Sequence, residues 1–285
     1  MESVLSERLN IKEIIIMIVD KNCLLNDLKR IGIKRGDIIC VHSSLKSIGE
    51  VDGGANTLID TLLNVVGEEG TILMPVFTYS FAGNKDAQPF DIQKTCSKTG
   101  LVTETFRKRK ETKRSNHPTH SVAALGKLAK KLTSHHCQIT ALGIDSPFHK
   151  MAKAGGKVLL IGVDFNKCSL IHVGEIVSEV YCKNIFCWEH HGWKPEAMVR
   201  TPSGEVKIIS QSEIPGCSEN FNRIKSILDK RKFIKKGTIG MANSQLCEAK
   251  SIINTIVEVC SKSPNFLLCE DKDCVACNAR KSHHK

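Results

Sequence analysis

Two patterns of apolar residues alternate along this chain. Short continuous apolar runs, bounded by glycine or proline, alternate with longer stretches where apolar residues recur every three or four positions. The first kind reads as strands covered on both faces, the second as amphipathic helices. The clearest run is Val158–Val163, bounded by Gly155-Gly156 and Gly162. Ile38–Val41 and Thr71–Val76 are further strands, the latter ended by Pro75, and Ser121–Gly126 is a small-residue strand after a turn. Helical spacing covers residues 1–20, a stretch capped by Asn22 and stopped by Gly32, Ala55–Val66, Gly100–Arg109, and residues 218–230 and 244–262. Ser146-Pro147 is a cap and first-turn pair for a helix through Ala154. Tyr181–Cys187 is apolar and β-rich, Met198–Ile209 is a hairpin turning at Pro202-Ser203-Gly204, and Thr238–Ala242 is a short link or strand. Residues 77–99 form a polar loop long enough to cover something.

The pattern predicts one compact α/β unit: a central, largely parallel or mixed sheet flanked by helices, with a smaller β-rich insertion in the C-terminal half. The expected divisions are an N-terminal helical extension (1–21), the main domain (22–268, insertion at about 181–215) and a Cys/Lys/His-rich tail (269–285).

Composition narrows the class. The chain has 285 residues, and no apolar run reaches the roughly 18–20 residues of a membrane span. Ile11–Val19 carries Lys12 and Glu13 and lacks a cleavage pattern, so it reads as an amphipathic helix rather than a signal peptide, and the expected compartment is the cytoplasm. Thirteen cysteines, an odd number, argue for reduced thiols and not a disulfide scaffold. Cys269, Cys274 and Cys277 form a C-x4-C-x2-C cluster that resembles one zinc half-site, with His283 or His284 as a fourth ligand. The plainer reading is a loose, reactive tail, and no metal is assigned. His190-His191 is no better a metal site, since adjacent residues do not share a face.

The net charge of +11 favours anionic partners. The basic run Arg107–Arg114 lacks interleaved aromatics and reads as a solvated helix end, with a phosphate-handling edge as the alternative, so nucleic acid is not the expected partner.

Candidate chemistry gathers after strands. Behind Val158–Val163 comes a polar loop, then a helix start with Ser169 as N-cap, which sets His172 and Glu175 three apart on one face. A loop at a strand's carboxyl edge is where open α/β sheets bind ligands. Behind Ile38–Val41, the segment His42–Gly54 is rich in small and hydroxyl residues and precedes a helix. It reads either as a phosphate cradle or as a plain βα turn, and matches no standard phosphate-binding pattern. Arg114 could pair with phosphate and His120 could face a site; hydrogen-bonded turn residues are the alternative reading of His117 and His120. Cys168, four residues before His172, reads as an unreactive loop thiol, with a nucleophile that forms an acetyl-cysteine as the alternative.

The ordered set His42-Ser43-Ser44-Leu45 with Gly49 and Gly53-Gly54, Gly70–Pro75, Arg114–Pro118, Ser121–Gly126, Leu170–Glu175 and Gly237–Gly240 resembles the aminoglycoside 3-N-acetyltransferase family, from about residue 22 to 269. The resemblance implies acetyl-coenzyme A as co-substrate, a small-molecule amine as acceptor, no required metal, and an α/β fold unlike the small acetyltransferases. It implies that His42, Ser43, Ser44, Leu45 and Ser47, with Arg114 and Ser115, line the coenzyme path. His172 would be the catalytic base with Glu175 beside it. Phe77, Tyr79, His120, Asp164 and Glu179 are assigned to the acceptor. The acceptor can be a deoxystreptamine aminoglycoside, which would make this an antibiotic-resistance enzyme, or another amine. Association as a homodimer is left open.

Overall fold

The computed structural model describes residues 18–180, 191–212 and 216–283. Its centre is a seven-stranded mixed sheet in the order β10-β11-β7-β2-β4-β6-β5. The strands are β2 (Ile38–Ser43), β4 (Thr71–Pro75), β5 (Lys113–Arg114), β6 (Val122–Gly126), β7 (Lys157–Ile161), β10 (Ile234–Ile239) and β11 (Ala242–Glu248). A two-residue pair joins β1 (Ile18–Val19) to β3 (Glu50–Val51), and β8 (Glu196–Arg200) forms a hairpin with β9 (Val206–Ser210).

The apolar runs behave as their composition demands. Ile38, Cys40, Leu73, Val158 and Leu160 face one core; Ile39, Val41, Ile72, Met74, Leu159 and Ile161 face the other. Side chains alternate across a strand, so a run that is apolar at every position is covered twice. The second core is closed by α1 (Lys21–Ile31), α3 (Gly54–Val66) and α4 (Leu101–Arg107). The first is closed by α5 (Ala129–Thr133), α6 (Pro147–Lys153), α7 (Ser169–Val177), α8 (Arg223–Lys230) and α9 (Ala249–Lys262). Among the described residues, no helix is long and apolar enough to cross a membrane.

Three expectations need correction. Of the N-terminal extension, residues 1–17 lie outside the described residues, and Ile18–Val19 is a strand, not helix end. Asp20, not Asn22, caps α1, its Oδ1 accepting from the Cys23 amide at 2.7 Å. The stretch expected as helix from 244 begins as β11 and turns helical only at Ala249. Its Asn243–Glu248 segment is held by ladders on both sides, β10 and β7, which outweigh its own weak helical spacing. The Thr238–Ala242 link is the β10–β11 hairpin turn. There Gly240 has φ +57°, and a Cβ would sit 2.6 Å from the Ile48 carbonyl oxygen. The apolar stretch Tyr181–Cys187 lies outside the described residues.

Topology gathers the loops. β2, β4 and β7 run parallel, so their carboxyl ends share one edge. β6 is antiparallel to β4 with Val122 opposite Pro75, which brings the residues before β6 to that same edge. The segments after β2, after β4, before β6 and after β7 therefore meet there.

Candidate active site

The loops behind β2 and β7 are stitched together. The Ser44 amide donates to the Ile161 carbonyl at 2.9 Å, and Ser47 Oγ to the Gly162 carbonyl at 3.3 Å. Gly162 has φ +65°, and a Cβ there would lie 2.4 Å from Ser47 Cβ, so only glycine lets the loops approach this closely. Ser44 caps the short helix α2 (Leu45–Ile48), its Oγ accepting from the Ser47 amide and hydroxyl. Ser43, Ser44 and Leu45 are half-buried and Ser47 is exposed at this edge. His42 is buried and in contact with the Cys40 thiol, Sγ to Nε2 at 3.4 Å.

On the β7 side, Asp164 begins a short 3-10 turn, Phe165–Lys167, and Cys168, not Ser169, occupies the N-cap of α7 without a side-chain bond. Seating of α7 depends on Gly174. A Cβ there would be 2.6 Å from Ile256 Cβ, so the glycine lets α7 and α9 cross closely. The crossing turns His172 and Glu175 to the interior. His172 Nδ1 lies 2.9 Å from Glu175 Oε2, and the ring packs edge-on against buried Phe221 at 4.7 Å. Glu175 is fully buried and its second oxygen accepts from Arg280 Nη1 at 2.8 Å.

Arg280 lies on α10 (Val275–His283), the last helix of the chain. Burial raises the Glu175 carboxyl; the Arg280 charge and the His172 hydrogen bond outweigh it and hold the group below its ordinary value. A carboxylate on Nδ1 fixes the Nδ1–H tautomer and leaves Nε2 as the basic nitrogen. His172 keeps 8% of its surface exposed, so the ring is largely out of solvent.

Near His172 stands an aromatic group around His120. Phe77, Tyr79 and Phe81 surround His120 at ring distances of 4.6, 5.7 and 6.3 Å, and Trp193 stacks on Phe81 at 5.5 Å and on Tyr79 at 6.4 Å. Tyr79 (φ +51°) and Glu179 (φ +60°) both sit in the left-handed region, a strained conformation that collects near sites. Loop 77–99 is held there by the insertion hairpin, Phe81 bridging to Ala197 and Phe90 to Val199.

Other expected site residues are spent locally. Asp164 accepts from Lys225 at 2.7 Å and Gln245 at 3.0 Å. Arg114 donates to the Thr95, Ile92 and Val76 carbonyls and to Ser121, with its guanidinium 5.0 Å over the Phe90 ring, so it braces loop 77–99. Ser115 is buried between His136 and the Val122 amide. Both lie at β5, separated from β2 by β4 and β6. Glu179 is exposed just beyond α7.

Cys168 is buried and its thiol is pushed up to about 12 by that burial, so it holds no thiolate at neutral pH. Of the His190-His191 pair, His190 lies outside the described residues. Two cavities of about 520 and 550 Å³ open beside α5, lined by residues such as Arg114, Asn116 and His136, and by Leu132, His135 and Lys150; neither is lined by His172.

Sequence reasoning missed Arg280 and Phe221. Neither sits in a local pattern, and both reach the dyad only through tertiary packing.

Four further histidines are buried and neutral. Burial lowers His42 to about 4, and holds His117 well below its ordinary value with help from His136 and His120. Burial, then the nearby His172 and His136, push His120 down to about 3; burial takes His136 to about 4 despite its Ala141 hydrogen bond. A histidine whose folded value is depressed contributes stability that is complete above its unfolded value, near 6.5, and is lost as pH falls toward the folded value. Each such group costs about 1.4 kcal/mol per pH unit within that window. The thermal midpoint is therefore expected to fall steeply from pH 6.5 to pH 4. A scanning-fluorimetry midpoint flat down to pH 4.5 would contradict the buried neutral assignment.

A profile of the family described as aminoglycoside 3-N-acetyltransferase matches residues 40–261, most of the chain. The chain belongs to the aminoglycoside 3-N-acetyltransferase family. It is 36% identical over 174 residues to the SPbeta prophage-derived aminoglycoside N(3')-acetyltransferase-like protein YokD of Bacillus subtilis (strain 168), a match spanning 54% of this chain and 64% of that protein. Among solved structures, the apoenzyme of aminoglycoside acetyltransferase AAC(3)-IVa superposes with a TM-score of 0.81 at 24% identity, covering 94% of this chain and 98% of that one. AAC-IIIb, in its binary complex with CoASH, superposes with a TM-score of 0.75 at 27% identity, over 86% and 97%. The mixed sheet flanked by helices is thus the architecture of acetyltransferases in this family, and the chain is an acyltransferase by descent.

Proposed function

We propose that this protein transfers an acetyl group from acetyl-coenzyme A directly to an amine, with His172 as general base. The preferred acceptor is the 3-amino group of a deoxystreptamine aminoglycoside. One observation carries the reading: a fully buried carboxylate bridges His172 and Arg280 at the carboxyl edge of the sheet. Family membership and the CoASH complex of a relative support the donor.

The donor supplies the acetyl group as a thioester. Ser43, Ser44, Leu45 and Ser47 are assigned to its pantetheine arm, because they lie half-buried or exposed along the stitched β2–β7 edge. Ser47 and Gly162 keep that edge narrow. Arg114 and Ser115 are better read as braces for loop 77–99 and β6.

The acceptor reaches the site having lost its ammonium proton to solvent. His172 Nε2 takes the second proton as the amine nitrogen bonds to the thioester carbon. The imidazolium, held by Glu175, then returns that proton to sulfur as the carbon–sulfur bond breaks. Products are the amide and the free thiol, and no metal enters. General base help of this kind is worth roughly 10²–10⁴ in rate.

Phe77, Tyr79 and His120 form the wall against which an acceptor ring would pack. Glu179, exposed beyond α7, is assigned as the carboxylate that meets a polycationic acceptor. The odd number of cysteines, thirteen, favours a reducing compartment such as the cytoplasm.

The test is thiol release from acetyl-coenzyme A with a panel of deoxystreptamine antibiotics, amino sugars and aminoacyl amines. Release dependent on a deoxystreptamine compound is the expected result. Release with another amine only would move the acceptor; no release with any would reject acetyl transfer.

A further inference from the structure

The tail brings four sulfurs together. Cys217, Cys269, Cys274 and Cys277 each offer a sulfur, and all four lie within 4.8 Å of one another. The sequence presents three of them as a half-site awaiting a histidine. The structure completes the set with Cys217, from the segment that leads into α8. We propose that these four cysteines form a structural zinc site that pins α10 to the Cys217–Phe221 segment behind His172 and Glu175.

The geometry favours a metal over disulfides. Two disulfides would make two close pairs; here all four sulfurs are mutually near, and all four cysteines are free. Four thiolates around Zn²⁺ at about 2.3 Å give sulfur–sulfur separations near 3.8 Å. A contraction of about one ångström from the observed spread reaches that arrangement. Backbone amides already point at two of the sulfurs, Cys269 N to Cys277 Sγ at 3.3 Å and Glu219 N to Cys217 Sγ at 3.4 Å. Cys274 directly precedes α10 and Cys277 is in its first turn, so two of the four sulfurs come from the start of that helix. A tetrahedral all-sulfur set selects zinc among common redox-inert ions. Binding releases the thiol protons to solvent and leaves every sulfur at its own oxidation level.

The site answers a packing problem. The apolar cluster at the tail holds only Leu268, Cys269 and Cys277, with Cys217 and Cys274 at its margin, too little area to fix a helix by burial. Yet α10 must hold Arg280, 3% exposed, against a fully buried carboxylate. Cys217 in turn sits four residues before Phe221, which packs on the imidazole. A metal joining Cys217 to the tail therefore ties the two segments that hold His172 and Glu175. Its role is support, distinct from the acetyl-transfer chemistry, and the assignment stands or falls independently of it.

The test uses the full-length chain purified under reducing conditions without added metal. Elemental analysis is expected to give about one zinc per chain, and X-ray absorption a shell of sulfur alone at about 2.3 Å. Cys217→Ser and Cys274→Ser are expected to lower zinc content to near zero, while Cys23→Ser, at an exposed position of α1, keeps it. Where a serine variant does not fold, mercurial release from the wild-type chain, read with a chromogenic chelator, reports the same stoichiometry. Protein that stays metal-free after incubation with zinc, carries iron instead, or has these cysteines in disulfides by mass spectrometry overturns the assignment.

Discussion

Replacing His172 with alanine is expected to lower kcat for acetyl transfer by about 10²–10⁴-fold, with little change in affinity for coenzyme A. The expectation follows from geometry. Glu175 occupies Nδ1, so Nε2 is the nitrogen left to act on an acceptor. The coenzyme path is assigned to the β2 edge, which the substitution does not touch. Uniform binding would change KM alone; loss of a proton acceptor used at the reacting nitrogen changes kcat. Single-turnover kinetics with a fixed amine, together with calorimetric titration of coenzyme A, separate the two. A variant that keeps kcat within tenfold of wild type would remove His172 from the chemistry. Cys168→Ala is expected to retain activity, because that thiol is held protonated in the core.

The second large effect belongs to Arg280→Met. Glu175 is fully buried, and removing its cation leaves the carboxylate with the imidazole as its remaining partner there. Breaking a buried pair from one side costs about 3–5 kcal/mol. The sign with pH is fixed. Arg280 helps hold the Glu175 carboxyl below its ordinary value, so the wild-type chain has that stabilisation above about 4.5 and loses it as pH falls through the folded value. Without Arg280 the carboxyl takes up a proton at higher pH, and the acid limb of kcat/KM is expected to move upward. Arg280→Lys, which keeps a cation, is expected to restore part of that shift. Urea melts and pH–rate profiles of both variants check it. Superimposable profiles and a stability loss under 1 kcal/mol would mean that Arg280 does not govern Glu175. A merely structural arginine would lower stability without moving the limb.

The dyad was legible because His172 and Glu175 are local to each other. Three residues apart on one helix, behind a strand apolar at every position, they had to share a face at a sheet edge. The β2, β4 and β7 strands were legible for the same reason, since double coverage leaves a continuous apolar run. The α1 cap was misplaced by two residues because Asp20 and Asn22 are both competent caps and only the chain's entry from β1 selects between them.

Harder cases depended on distant partners. β11 carries a sequence that passes for the start of α9 until its neighbours β7 and β10 are known. Arg114 looked like a phosphate ligand, since its place at the end of a basic run gives no hint of the three carbonyls that collect around it. Cys217 carried no signal by itself, because one cysteine has no spacing to read.

The sequence by itself determined the α/β class, the family and the imidazole–carboxylate pair, all of which rest on periodicity or on motifs within a few residues. Tertiary structure alone decided that Arg280 closes the pair, that Phe221 backs the imidazole, and that Cys217 joins the tail. The physical reason is range. Contacts one helical turn apart are dictated by backbone geometry, whereas contacts between residues far apart in sequence exist only after the two cores have brought their elements together.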